Sequence, residues 1–130
     1  MTPEAANYLD KARADLDDAR KIAGIGLAKA AARCAYYAAF HAAEAFIVER
    51  TGKVAKTHAG VRSEFARLAK HEPRIDKSLS TILAKGYQFK EICDYGVGSE
   101  AAVRMVEAEE TISNAGLFLD KIATLLDQHS

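Results

Sequence analysis

Along this chain apolar residues return every three or four positions, the repeat of helices buried along one face. Ala5, Leu9, Ala12, Leu16, Ala19 and Ala23 form the first such stripe. Thr2, Pro3 and Glu4 open it as a capping hydroxyl, a first-turn proline and an acid at the positive helix end, and Gly24 and Gly26 close it. A second helix runs from about Leu27 to Thr51 and stops at Gly52. Thr57 caps a short third helix through about Lys70. Pro73 opens a fourth at its first turn, with Ile75, Leu79, Ile82, Leu83, Phe89 and Cys93 inside and Gly96 as its stop. Ser99 caps the last, whose inner side carries Val103, Val106, Ile112, Leu119, Ile122 and Leu126. The pattern predicts an all-α protein, an antiparallel up-and-down bundle of four long helices plus one short helix.

The second helix carries more information than the others because it has three different faces. Tyr36, Phe40, Ala43 and Ile47 fall on one stripe assigned to the main core. Ala31, Ala35, Ala38, Ala42 and Ala45 make a small-residue surface that lets another helix approach closely. Arg33, Tyr37, His41 and Glu44 share a third strip about 80° wide, with Val48. Two apolar faces place this helix at the centre or at a subunit interface. Its polar strip is then partly buried and needs partners, for which Lys90, Asp94 and Tyr95 are the candidates.

Composition adds little to the fold but excludes several functions. The 130 residues suffice for one domain, residues 1–130. The charged start is no signal peptide, and no apolar run is long enough to span a membrane, so a cytoplasmic protein is expected. Cys34 and Cys93 read as reduced thiols rather than a disulfide framework. Eighteen basic residues balance eighteen acidic ones, which argues against a generic nucleic-acid coat. The charge is uneven, however. Arg50 to Lys77 holds eight Lys or Arg against three acids, and Glu91 to the C-terminus holds two against eight. That asymmetry suits a basic patch facing RNA or an acidic partner, or simply solvated faces of separate helices.

Metal chemistry has no support in the spacing. Carboxylate bundle sites use Glu-x-x-His on inward faces, whereas this chain has His41-x-x-Glu44, the reverse order, once. Cys-x-x-Cys, His-Glu-x-x-His and glycine-rich phosphate loops are absent from the sequence, and neither metal nor cofactor is expected. The helix start after Thr57 offers free N–H groups to a phosphate, with His58 beside it or merely solvated. Lys90 and Asp94 are spaced to pair across one helical turn, and Tyr95 sits just before Gly96.

The segments AYYAAFHAAEAF, KTHAGVRSEF and KEICDYG, in that order, make the chain resemble the small bacterial and archaeal HEPN proteins. The resemblance runs from ANYLDKARADLDDAR to the last helix. It implies a single HEPN-like helical domain, commonly a homodimer, often paired with a minimal nucleotidyltransferase as a toxin–antitoxin module. It also implies a metal-independent ribonuclease activity in many members, carried by an R-x4-6-H motif near the dimer groove. Some members are silenced when the partner adenylylates a tyrosine near that motif, which here makes Tyr95 the candidate modification site.

The chain departs from that motif. Arg33–His41 and Arg50–His58 are both eight apart, and the matching segment has Lys90 in place of Arg and Tyr95 where the spacing puts His. Cleavage through the 2′-hydroxyl needs a base near neutral pKa and a cation on the developing charge. An unperturbed tyrosine is only about 0.1% ionised at pH 7. Lysine lacks arginine's planar grip on phosphate. The expectation is therefore the non-transferase half of such a module, binding RNA or an adenine nucleotide without intact ribonuclease chemistry. Arg33, Tyr37, Glu44 and Tyr95 would form the ligand- or partner-binding set. The alternative is an active ribonuclease with Lys90 on the phosphate, His41 or His58 as acid/base and Asp94 orienting Lys90. A third reading is a purely structural dimeric bundle whose polar strip is a hydrogen-bonded seam.

Overall fold

Helix ends are set locally. The computed structural model describes residues 1–98 and 102–127, and these contain five helices and no strand. They are α1 Pro3–Gly24, α2 Ala28–Thr51, α3 His58–Ala69, α4 Ser78–Tyr95 and α5 Met105–Asp127. Thr2 and Thr57 cap α1 and α3, their hydroxyls accepting from Ala5 N–H at 3.2 Å and Gly60 N–H at 2.9 Å. Gly52 closes α2 in the left-handed region, φ 74°.

Two helix starts differ from the sequence expectation. Pro73 does not open α4. The carboxylate of Glu72 accepts the backbone N–H of Arg74 at 3.1 Å and its guanidinium at 2.7 Å, which holds a turn there, and α4 begins only at Ser78. The N-cap position of α4, Lys77, makes no side-chain cap bond, and Asp76 just before it accepts from Ser78 N–H at 3.3 Å. Buried Glu72 also accepts from Arg50 at 3.0 Å, and these arginines, Arg74 foremost, hold its carboxyl down at about 2. The Ser99 cap lies outside the described residues. The last helix starts at Met105, where Glu107 accepts from the backbone N–H of Arg104 at 3.0 Å, one half of a capping box. Val103 therefore precedes the helix, and Val106 lies exposed on it rather than inward.

Packing is organised by α2, which contacts every other helix. Ala31, Ala35, Ala38, Ala42 and Ala45 are fully buried. Thr2 N–H donates to Glu49 at 2.8 Å and Cys34 Sγ to the Asp15 carbonyl at 3.2 Å, so α1 and α2 run antiparallel. Cys93 Sγ meets the Lys29 carbonyl at 3.1 Å while Gly86 lies against Tyr36, so α4 also runs antiparallel to α2. The bulk of the core comes from the neighbours: Leu9, Leu83, Phe65, Phe118, Ile122 and Leu126 are at most 1% exposed. Each such side chain contributes roughly 1.5–3 kcal/mol by leaving water. Phe65 links the core, its ring 5.5 Å from Phe46 and 5.1 Å from Phe118.

One contact joins the fold to the polar strip. A Cβ added at Gly86 would sit 3.1 Å from Tyr36 Cδ1, so glycine is what lets α4 approach α2 at that level. Gly86→Val should overpack this contact and cost about 1–3 kcal/mol in urea unfolding, displacing Tyr36 in the process. Unchanged stability would mean that the two helices have room to part.

Candidate polar-aromatic site

The Arg33 and Tyr37 part of the polar strip of α2 faces the start of α3 and the last turns of α4. Tyr37 is its hub, with ring centroids 5.8 Å from His58, 6.0 Å from Phe40 and 6.1 Å from His41, and with the Arg33 guanidinium 5.0 Å above it. His58, the first residue of α3, is 4.6 Å from Phe40 and 5.6 Å from Tyr87, centroid to centroid. Its Nδ1 lies 2.7 Å from the Tyr36 hydroxyl. The Arg62 guanidinium, one turn further on, covers the Tyr87 ring at 3.9 Å. Its Nη1 is buried without a hydrogen-bond partner among the described residues.

Lys90 is buried on α4, its Nζ 2.9 Å from Asp94 Oδ2, while the other oxygen of Asp94 accepts from Arg33 Nε at 2.8 Å. One carboxylate thus joins cations from two helices. Its pKa is held below the ordinary carboxylate range, chiefly by Lys90 and then by Arg33, and Lys90 is raised in turn by Asp94. His58 is pushed below the ordinary imidazole value by burial first, then by the positive charges of Lys90 and Arg62. The folded chain therefore binds that proton less readily than the unfolded chain. His58 accordingly withdraws stability as pH falls below about 6.5 and withdraws none above it.

Of the residues singled out from the sequence, the fold brings Arg33, Tyr37, His58, Lys90 and Asp94 together. Asp94 is hydrogen-bonded to both cations. Tyr95 stands at the mouth, 73% exposed, with Lys90 Nζ 5.7 Å from its ring. His41 is placed differently from the expectation. Its partners are not Lys90, Asp94 and Tyr95 but Glu44, 2.6 Å from Nδ1, and Asp15 of α1, 3.4 Å from Nε2. The antiparallel register of α1 sets this arrangement, presenting Asp15 to the level of Cys34 and His41. Tyr36 is 1% exposed, as a core residue should be, yet its hydroxyl belongs to the polar cluster.

Arg62, Tyr87 and Asp15 were missed. Arg62 follows His58 by one helical turn and so shares its face, a signal present in the sequence but hidden by looking for arginine before histidine. The thiols offer no nucleophile: burial pushes Cys34 up to about 11 and also raises Cys93. Among the described residues no cluster of His, Cys, Asp and Glu is arranged to hold a metal ion. No described helix is long and apolar enough to cross a membrane.

Fold and site together define an all-helical protein with a basic, aromatic-lined cluster where three helices meet. The HEPN domain family model matches residues 5–125. The chain is also 32% identical over 94 residues to the Methanocaldococcus jannaschii protein named "Putative toxin MJ0605", an alignment covering 72% of this chain and 67% of that one. The chain belongs to the HEPN domain family.

The electrostatic coupling across the cluster is directly measurable. In an NMR titration the His58 imidazole should have its midpoint below about 6.5. Lys90→Met, which removes the neighbouring positive charge, should move that midpoint upward. A midpoint that does not respond would separate the two residues.

Proposed function

We propose that this chain is the non-transferase half of a toxin–antitoxin module and binds RNA or a nucleotide through its phosphate at the Tyr37 cluster. The observation that carries the reading is the convergence of Arg33, His58, Arg62 and Lys90 from three helices around the rings of Tyr37 and Tyr87. Cations beside aromatic faces are the elements that hold phosphate and stacked bases in single strands. The unpartnered Arg62 nitrogen adds a donor without an acceptor. The name of the archaeal relative supports the toxin assignment. On this reading the helices form an antiparallel up-and-down bundle with α3 as its short member, and the protein works in the cytoplasm. Exposed Ile25, Leu27 and Val97 supply apolar surface for a second copy or a nucleotidyltransferase antitoxin. Exposed Tyr95 is the hydroxyl such an enzyme would modify.

Binding without cleavage is the primary reading because Lys90 and Tyr95 stand where the ribonuclease motif has arginine and histidine. One feature favours a second reading, a metal-independent ribonuclease. His58 is shifted toward its neutral form with Nδ1 2.7 Å from the Tyr36 hydroxyl, and in the tautomer that donates Nδ1–H to that oxygen the Nε2 lone pair is a base.

A single-stranded RNA titration with EDTA present, followed by gel analysis of the same samples, tests both. The primary reading predicts intact RNA, with affinity reduced roughly tenfold or more by Lys90→Ala, a loss typical of a buried charge contact. Cleavage to cyclic-phosphate ends that His58→Ala abolishes would replace it with the ribonuclease. Absence of RNA or nucleotide binding by folded protein would contradict both and leave a structural bundle.

A further inference from the structure

Between α1 and α2 lies an open groove of about 440 Å³, lined by Lys11, Asp15, Arg33, Cys34, Tyr37 and His41 together with the apolar Ile22 and Ala30. That volume falls within the roughly 300–1,000 Å³ of small-molecule sites. Its carboxylate differs from that of the cluster: Asp94 is hydrogen-bonded to two cations, whereas Asp15 has one long contact to an imidazole. Asp15 is anchored on both sides of its α-carbon. Its backbone carbonyl accepts from Cys34 Sγ at 3.2 Å, and its Oδ2 lies 3.4 Å from His41 Nε2. His41 is itself fixed, its Nδ1 2.6 Å from Glu44. The contact to Oδ2 is long for an N–H···O bond, and Oδ1 takes no hydrogen bond among the described residues. Lys11, one turn earlier on α1, is likewise without an ion pair there.

We infer that this groove is a base subsite selective for guanine, extending the proposed phosphate site across the Tyr37 ring; the inference rests on that proposed reading. A base entering the groove would stack on Tyr37, which at 5.0 Å already carries the Arg33 guanidinium. A carboxylate is an acceptor only, and its two oxygens suit two adjacent donors. Guanine is the RNA base whose edge offers them, N1–H beside the 2-amino group. Adenine and cytosine set a single amino donor beside a ring nitrogen acceptor, and uracil sets one N–H between two carbonyls. Each of these turns a lone pair toward Asp15. The carboxylate is a quarter exposed; burial raises its pKa above the ordinary carboxylate value, and the charges of His41 and Lys11 only partly oppose that rise. Lys11 and Arg33 at the rim answer the phosphate of the same nucleotide.

The test is calorimetric, on the full chain, with GMP, IMP and AMP. In parallel, two short single-stranded RNAs are compared, identical except for one guanosine in place of adenosine. IMP lacks only the 2-amino group. The subsite predicts that GMP, or the guanosine RNA, binds roughly tenfold or more tightly than its comparator. A preference among the mononucleotides assigns the groove to free nucleotide, and one confined to the oligomers assigns it to RNA. Asp15→Glu, which keeps the carboxylate, should retain a preference that Asp15→Asn loses. Equal affinity of the wild-type chain for GMP, IMP and AMP, and for the two RNAs, would overturn the guanine subsite whatever the variants do. If oligouridylate still binds in that case, the phosphate reading stands without the subsite. If folded protein binds none of these ligands, both fail.

Discussion

The alanines at positions 31, 35, 38, 42 and 45 of α2 leave nothing beyond Cβ between that backbone and its neighbours, and all are fully buried. Close approach on that scale makes α2 the helix that every other helix touches. It also buries the His41 and Glu44 end of the polar strip of α2, while Arg33 at the other end stays exposed. Their partners come from the neighbours and from α2 itself: Arg33 bonds Asp94 of α4, Tyr37 meets His58 of α3, and His41 lies between Glu44 and Asp15 of α1. The site is a consequence of how tightly the centre of the bundle is packed, and Gly86 extends the same logic to the approach of α4.

Charge within the strip is divided between two small networks with Tyr37 between them. On one side Asp94 joins Arg33 to Lys90, and His58, Arg62 and Tyr87 close around the same rings. On the other, His41 lies between Glu44 and Asp15. A phosphate arriving at the first network competes with Asp94 for two cations, so binding there should weaken as salt rises. A base arriving at the second meets a carboxylate whose backbone is held by Cys34 and whose Oδ2 has only a long, 3.4 Å contact to His41. Arg62 lies stacked on Tyr87, and its buried Nη1 has no hydrogen-bond partner among the described residues.

Helix ends were legible in the sequence wherever the signal is local. Thr2 and Thr57 cap helix starts and Gly52 closes α2 in the left-handed region as their residue types suggest, whereas Gly96 follows α4 in extended backbone that any residue adopts. The start of α4 was not legible, because the Glu72 side chain captures Arg74 and outcompetes Pro73 as a helix initiator. The three faces of α2 followed from periodicity, but the identity of what meets each face did not. Pairing of His41 with Asp15 depends on the register between α1 and α2, which no single helix encodes. Arg33 could be placed on the strip, yet its bond to Asp94 requires knowing which end of α4 packs there. The convergence of His58 with Lys90 likewise depends on where the loop after Gly52 returns the chain.

The central claim is that ligand binds where α2, α3 and α4 meet. The most direct measurement is side-chain NMR of the tyrosine rings and histidine imidazoles during titration with a short single-stranded RNA. The account predicts large, saturable shifts for Tyr37, Tyr87 and His58, with Tyr8 and His71 unmoved. Saturable binding that leaves the Tyr37, Tyr87 and His58 signals in place would put the ligand elsewhere on the molecule and contradict the account.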